Sequence, residues 1–207
     1  MSKARREHWQ AVYTHKRVET VSWYQPQPTP SLTALERLGA SSGQSLIDVG
    51  AGASPLVGAL HEAGWRDLAA LDISDAALAH ARAALGERAE AIEWIAADIT
   101  RWRPARRYDI WHDRAVFHFL TDPADRASYR RALEAALAPG GLALFATFAP
   151  DGPQACSGLE IRQYSASDLA REFDRALRPL ADWSEVHVTP SGAAQNFTWA
   201  AFRKGTP

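Results

Sequence analysis

Cysteine occurs once in the 207 residues, at Cys156, and methionine once, at the first position. A single thiol excludes an intrachain disulfide and any metal centre built from several thiolates, so a hydrophobic core must hold the fold. A basic surplus is missing as well: 23 Lys and Arg stand against 24 Asp and Glu, a formal net charge of -1. Affinity for nucleic acid draws heavily on phosphate contacts, and this balance shows no bulk sign of them, so no nucleic-acid partner is expected. No apolar run approaches the ~20 residues of a membrane span, and no membrane partner is expected either. The first residues, Met1-Ser-Lys-Ala-Arg-Arg-Glu-His-Trp9, lack the apolar centre of a secretion signal, which makes the cytoplasm the expected location.

What is present is an ordinary globular composition, 46% hydrophobic and 23% charged, at a length suited to one α/β domain. Two segments differ in character. In residues 1 to about 43, Trp9 and Tyr13 sit at i,i+4 beside Val12, as on one stripe of a short helix. The run Tyr24-Gln-Pro-Gln-Pro-Thr-Pro30 follows, where three prolines in five residues deny a helix or a central strand. Leu32, Leu35 and Leu38 then mark a second helix, with Ser31 as its expected cap. From residue 44 onward, strand-like apolar runs alternate with helical patterns, which predicts βαβ units and a parallel sheet. Strands are expected at Ser45–Val49, Leu68–Asp72, Ile92–Ala96, Tyr108–His112 and Leu142–Phe148. Helices are expected at Pro55–Ala63, Asp75–Leu85 and Arg126–Leu137, with Ser54 and Ser74 capping the first two. Glu185–Val188 and Phe197–Arg203, joined through Thr189-Pro-Ser-Gly192, read as a terminal antiparallel hairpin. The expected fold is a Rossmann-like, mostly parallel seven-stranded sheet with helices on both faces.

Chemistry concentrates in Leu46-Ile-Asp48-Val-Gly50-Ala-Gly52-Ala-Ser54, a strand entering a glycine turn ahead of a helix. Such a turn lets the backbone approach a ligand, and the helix start offers unpaired N–H groups. A dinucleotide fingerprint needs G-x-G-x-x-G, but Pro55 stands at the third glycine, and no Gly-Lys-Ser/Thr is present for a phosphate loop. NAD and ATP are thus disfavoured. The strand ends instead on an acid two residues ahead of G-x-G. Asp72 closes the second strand some twenty residues later, Asp98 follows the third, and Leu137-Ala-Pro-Gly-Gly-Leu precedes the fifth.

In these elements, over residues 45 to about 148, the chain resembles the class I S-adenosylmethionine-dependent methyltransferases. The resemblance implies an enzyme with S-adenosylmethionine as cofactor, held by Asp48, Gly50, Ala51, Gly52, Ser54, Asp72, Ile73, Asp98 and Ile99. Asp72 would take two ribose hydroxyls and Asp98 the adenine amino group, with Ile99 on the ring. Ser54 departs from the third glycine of many members, which touches the placement of the methionine carboxylate. Trp9 and Tyr13, with Trp23 and Tyr24, are candidates to present aromatic faces to the sulfonium, and the 1–43 segment is expected to form a lid.

The acceptor side must be argued from the end of the fourth strand. There His112-Asp113-Arg114-Ala115-Val116-Phe117-His118 replaces the Asn/Asp-Pro-Pro-aromatic signature of base methylation. This run resembles a segment of thiopurine-type small-molecule enzymes and also one of protein lysine methyltransferases. A small-molecule substrate needs no partner protein and is preferred, with protein lysine as the alternative. A non-catalytic cofactor-binding module and a dinucleotide or nucleotide-sugar enzyme are readings from other classes. Asp113, His118 and His112 are the candidate catalytic groups, since each can take a proton or orient a nucleophile. The same three could form a 2-His-1-carboxylate set, but the resemblance implies a metal-free mechanism. Cys156 is expected to be buried and inert.

Overall fold

The computed structural model describes residues 2–206. Seven strands make a mostly parallel sheet with helices, closed by an antiparallel C-terminal strand pair, and a separate pair of two-residue strands lies in a loop. The chain divides into two compact units, one ending at Ile99 and the other starting at Thr100.

The first unit holds α1 (Ser2–His15), α2 (Thr29–Arg37), β1 (Leu46–Val49), α3 (Leu56–Glu62), β2 (Leu68–Asp72), α4 (Asp75–Leu85) and β3 (Ile92–Ala96). Strand order is β3-β2-β1, all parallel, in the register Leu46↔Leu68 and Leu68↔Ile92. Every residue of β1 and β2 is buried, as parallel strands covered by helices require. The start of α4 is fixed by Ser74, whose hydroxyl accepts from Ala77 N–H at 3.2 Å, and its end by Gly86. α3 starts at Leu56 with Pro55 as its N-cap, so Ser54 stands one residue before the expected capping position, its Oγ accepting from Leu56 N–H at 3.2 Å. The start of α2 differs from expectation. Pro28 is its N-cap, Pro30 lies in the first turn, and Ser31 is a buried helical residue. The first turn has no intrahelical use for its N–H groups, so proline is tolerated there.

The second unit holds β4 (Tyr108–Arg114), α5 (Pro123–Ala136), β5 (Leu137–Phe148), β6 (Ala155–Cys156), β7 (Leu159–Glu160), α6 (Ala166–Phe173), β8 (Leu177–Val188) and β9 (Ala194–Lys204). β4 and β5 are parallel, β9 is antiparallel to β5, and β8 is antiparallel to β9 at the sheet edge. α5 starts at Pro123 rather than Arg126, because Asp122 caps it by accepting from Ala124 N–H at 2.8 Å. Pro139-Gly140-Gly141 lies inside β5 at an irregular register, where Tyr108 pairs with Leu137 and Ile110 already with Leu142. β8 runs eight residues ahead of the expected Glu185 because its Pro179 sits on an edge strand beside a second register shift. α6 was not anticipated; Ser165 and Asp168 form a capping box at its start.

α5 turns Arg126, Tyr129, Leu133 and Ala136 inward, a helical stripe. They meet an aromatic core in which Phe145 stacks on Phe173 at 4.5 Å and Phe117 lies 4.9 Å from Tyr129. Arg126 is buried there and satisfied, with Glu172 at 3.0 Å and the carbonyls of Leu120 and Thr121 at 3.0 and 2.7 Å. Cys156 is buried, at 6% exposure. Among the described residues, no helix is long and apolar enough to cross a membrane.

Candidate active site

β1 ends at Val49, and Gly50 and Gly52 both take positive φ, 68° and 55°, a backbone path open to glycine. The turn is locked to the neighbouring strand by Gly50 and Ala51 N–H groups, which donate to the Leu71 carbonyl at 2.7 and 3.0 Å. Asp72 completes it. One carboxylate oxygen accepts from Gly52 N–H and the other from Ser74 N–H, both at 2.8 Å, so glycine turn, acid and the cap of α4 form one unit. Asp72 is 7% exposed, and burial raises its pKa to about 6 despite the N–H donors, with the charge of Asp48 adding to the rise. Asp48 is itself buried, on β1.

The N-terminal helix lies on this unit. Gln10 Oε1 accepts from the Ser74 hydroxyl at 3.0 Å and from Ala76 N–H at 3.2 Å, which adds a second acceptor at the start of α4. The Tyr13 carbonyl meets His80 Nε2 at 2.9 Å. Arg6 pairs with Asp75 at 2.7 Å, and Arg5 lies 3.8 Å from Asp98. Val12, Tyr13, Val21 and Ala77 pack together, with Trp9, Trp23, Tyr24 and Ala53 around them. Trp23 donates its indole N–H to the Tyr13 hydroxyl at 3.1 Å. That hydroxyl sits directly over the glycine turn, where a Cβ on Gly52 would collide with it.

These contacts bring Trp9, Tyr13, Gly52 and Asp72 together, with Gly50 and Ala51 in the same turn and Ile73 next in the chain. Asp98 and the buried Ile99 follow β3. Gln10, Arg5, Arg6 and His80 were not anticipated, since their partners lie 64 or more residues away and no local pattern announces them.

A cofactor with a ribose diol fits the unit. The Asp72 carboxylate accepts main-chain N–H groups on both oxygens and keeps further lone-pair capacity, and it is buried beside a turn whose side chains are no larger than a methyl group.

In the second unit, alternation along β4 turns His112 and Asp113 to opposite faces. His112 is buried with its ring 6.2 Å from Trp199. Asp113 is fully buried and heavily engaged. One oxygen accepts from Val116 N–H at 3.0 Å and Phe117 N–H at 3.3 Å, and the other from the Tyr129 hydroxyl, which in turn accepts from Trp111 at 2.9 Å. Burial raises the Asp113 pKa to about 6, against the pull of these donors. The carboxylate thereby shapes the turn in which Ala115 adopts φ 69°, a conformation unusual for a side chain with Cβ. His118, on that turn, is fully buried. Its Nδ1 accepts from Phe148 N–H at 3.3 Å, and its pKa is lowered to about 3 by burial and by the charge of Arg114. Arg114 spans to Glu185 at 3.2 Å, whose other oxygen takes the Trp199 indole N–H at 2.5 Å.

Residues 46–141 match a family model described as a methyltransferase domain. No curated protein sequence matches the chain significantly. Among solved structures, one described by the conversion of a disulfide bond into a thioacetal group during echinomycin biosynthesis is similar with a TM-score of 0.78 and 22% identity, over 96% of this chain and 92% of the other. A SAM-dependent methyltransferase from Anabaena variabilis has a TM-score of 0.77 and 15% identity, over 98% and 94%. The N-methyltransferase NodS from Bradyrhizobium japonicum, in complex with S-adenosylhomocysteine, has a TM-score of 0.68 and 18% identity, over 95% and 98%. Residues 46–141 thus match a methyltransferase-domain model, and the chain shares the fold of these solved structures.

Proposed function

We propose that the protein transfers the methyl group of S-adenosylmethionine to a small molecule. The observation that carries the reading is the Asp72 carboxylate, buried at the end of β2 and bonded to both Gly52 N–H and Ser74 N–H. It offers a charged acceptor pair to a ribose diol beside a backbone turn that a methionine moiety can approach. Asp98 and Ile99 serve the adenine, and Asp48, Ser54 and Ile73 border the same turn. S-adenosylmethionine supplies an activated methyl group, so the chain's task is to bind, orient and exclude water.

α1 serves as a strap. Gln10 and Tyr13 fasten it to the cap of α4 and to the glycine turn, and in this reading the Trp9 and Tyr13 rings shield the cofactor. In this reading residues 1–43 are a covering segment on the methyltransferase domain of residues 44–207. His112, Asp113 and His118 flank the carboxyl end of β4, with Asp113 holding the turn that carries His118.

The small-molecule reading draws support from similar structures, among them the 1,6-didemethyltoxoflavin-N1-methyltransferase of Burkholderia thailandensis with that compound bound (TM-score 0.66, 19% identity, 98% of this chain and 85% of the other). It also draws on Asp113. A lysine ammonium needs a carboxylate free to receive it, and the oxygens of Asp113 already serve three donors.

The test is formation of S-adenosylhomocysteine from labelled S-adenosylmethionine over a panel of amines, phenols, thiols and nitrogen heterocycles. Label should appear in a small-molecule product and fall to background in Asp72→Ala. Label in a protein substrate alone, with the panel silent, refutes the reading.

A further inference from the structure

His118 holds one polar atom that the fold leaves unmatched. Its ring is fully buried, between Phe119 at 4.5 Å in an edge-on contact and Phe148 at 4.7 Å. Nδ1 accepts the Phe148 N–H. A neutral imidazole carries one proton, and with Nδ1 accepting, that proton sits on Nε2. Nε2 has no hydrogen-bond partner among the described residues. Folded chains rarely leave a buried donor unmatched, and such a group calls for a specific explanation. The turn itself is firmly held. Asp113 accepts from two of its N–H groups, and the His118 carbonyl accepts from Arg162 N–H at 2.8 Å.

We infer that His118 is a substrate-positioning donor: its Nε2–H binds a hydrogen-bond-accepting oxygen or ring nitrogen of a flat heteroaromatic methyl acceptor. The inference rests on the small-molecule reading above and narrows it. The location agrees with the role, because the turn follows the carboxyl end of β4, the edge at which open α/β sheets bind ligands. The flanking phenylalanine rings select for flat, apolar surface around the accepting atom. The loop from Ala149 to Gln163, whose regular structure is limited to β6 and β7, runs back to His118 through Arg162. The same geometry withdraws His118 from proton abstraction. Nδ1 is occupied by a main-chain donor and Nε2 already carries a proton, so the ring gives a hydrogen bond rather than taking a proton.

The test uses the full chain, labelled with 15N-histidine and saturated with S-adenosylhomocysteine, with the His118 signals assigned by their loss in His118→Gln. The probe is 4-quinolone, flat and carrying a carbonyl acceptor; the control is indole, equally flat but without an in-plane lone pair. The His118 ring should remain neutral from pH 5.5 to 8 with its proton on Nε2, and that N–H signal should move with 4-quinolone and stay with indole. His118→Gln keeps an N–H near the Nε2 position and should bind the probe within a few-fold of the parent. His118→Phe should lose about tenfold, the scale of one hydrogen bond. A proton on Nδ1, titration of the ring near neutrality, or an identical response to both compounds overturns the inference. If that happens while S-adenosylhomocysteine still saturates the protein, the proposed function stands; a failure to bind S-adenosylhomocysteine removes the proposed function instead.

Discussion

If Asp72 receives the ribose diol as proposed, cofactor affinity should depend on pH in a direction the geometry dictates. Its pKa is raised from 3.8 to about 6, first by burial, and two ribose hydroxyls donating to it would stabilise the ionised form. Binding therefore favours the carboxylate, and below about pH 6 the ligand must displace a proton. If only the ionised form binds, affinity for S-adenosylhomocysteine falls about tenfold between pH 7.5 and pH 5, or about 1.4 kcal/mol. The free protein follows the opposite course. A carboxyl group whose folded pKa lies above its unfolded value contributes stability below pH 4 that is lost as pH rises through about 6, and Asp113 has the same sign. Calorimetric titrations at half-unit intervals, with circular dichroism to verify folding, measure the first effect. Asp72→Asn, which cannot ionise, serves as the control and should bind weakly with a flat profile. A parent affinity independent of pH between 5 and 7.5, in folded protein, refutes the reasoning, as does a slope that survives in Asp72→Asn.

Gly52→Ala should abolish measurable S-adenosylhomocysteine binding and destabilise by about 1–3 kcal/mol, because φ is positive there and the new methyl meets Tyr13; chemical denaturation with binding on the same samples checks it. Tyr129→Phe should cost about 1–3 kcal/mol by leaving the Trp111 indole and one Asp113 oxygen without their partner, with cofactor affinity unchanged, as a melting curve and a titration will record. Gln10→Ala removes the acceptor shared by Ser74 and Ala76 and should weaken S-adenosylhomocysteine several-fold while lowering stability by about 1 kcal/mol; equal affinity in the folded variant counts against α1 as a strap.

The glycine turn and the acids on β1, at the end of β2 and after β3 were legible because residues adjacent in sequence carry them, and α4 was legible from its cap and its closing glycine. Contacts made at a distance were not. Nothing in Gln10 announces Ser74, and Tyr13 gives no sign that its hydroxyl rests on Gly52. Asp113 read as a chemical acid because its partner Tyr129 lies sixteen residues on, across a helix start that sequence alone leaves unplaced. The early part of β8 was not anticipated, and its Pro179 is tolerated because the strand lies at the sheet edge. α6 was written in Ser165 and Asp168 with Leu169 and Phe173 behind them, but its short, mixed composition hides the pattern.

The most direct measurement is the titration of S-adenosylhomocysteine into the parent and into Asp72→Ala at pH 7.5. One site per chain is predicted, with a loss of about 1.5–3 kcal/mol in the variant, the scale of hydrogen bonds to a charged group. No binding to the folded parent, or equal affinity in the two proteins, contradicts the assignment of this site.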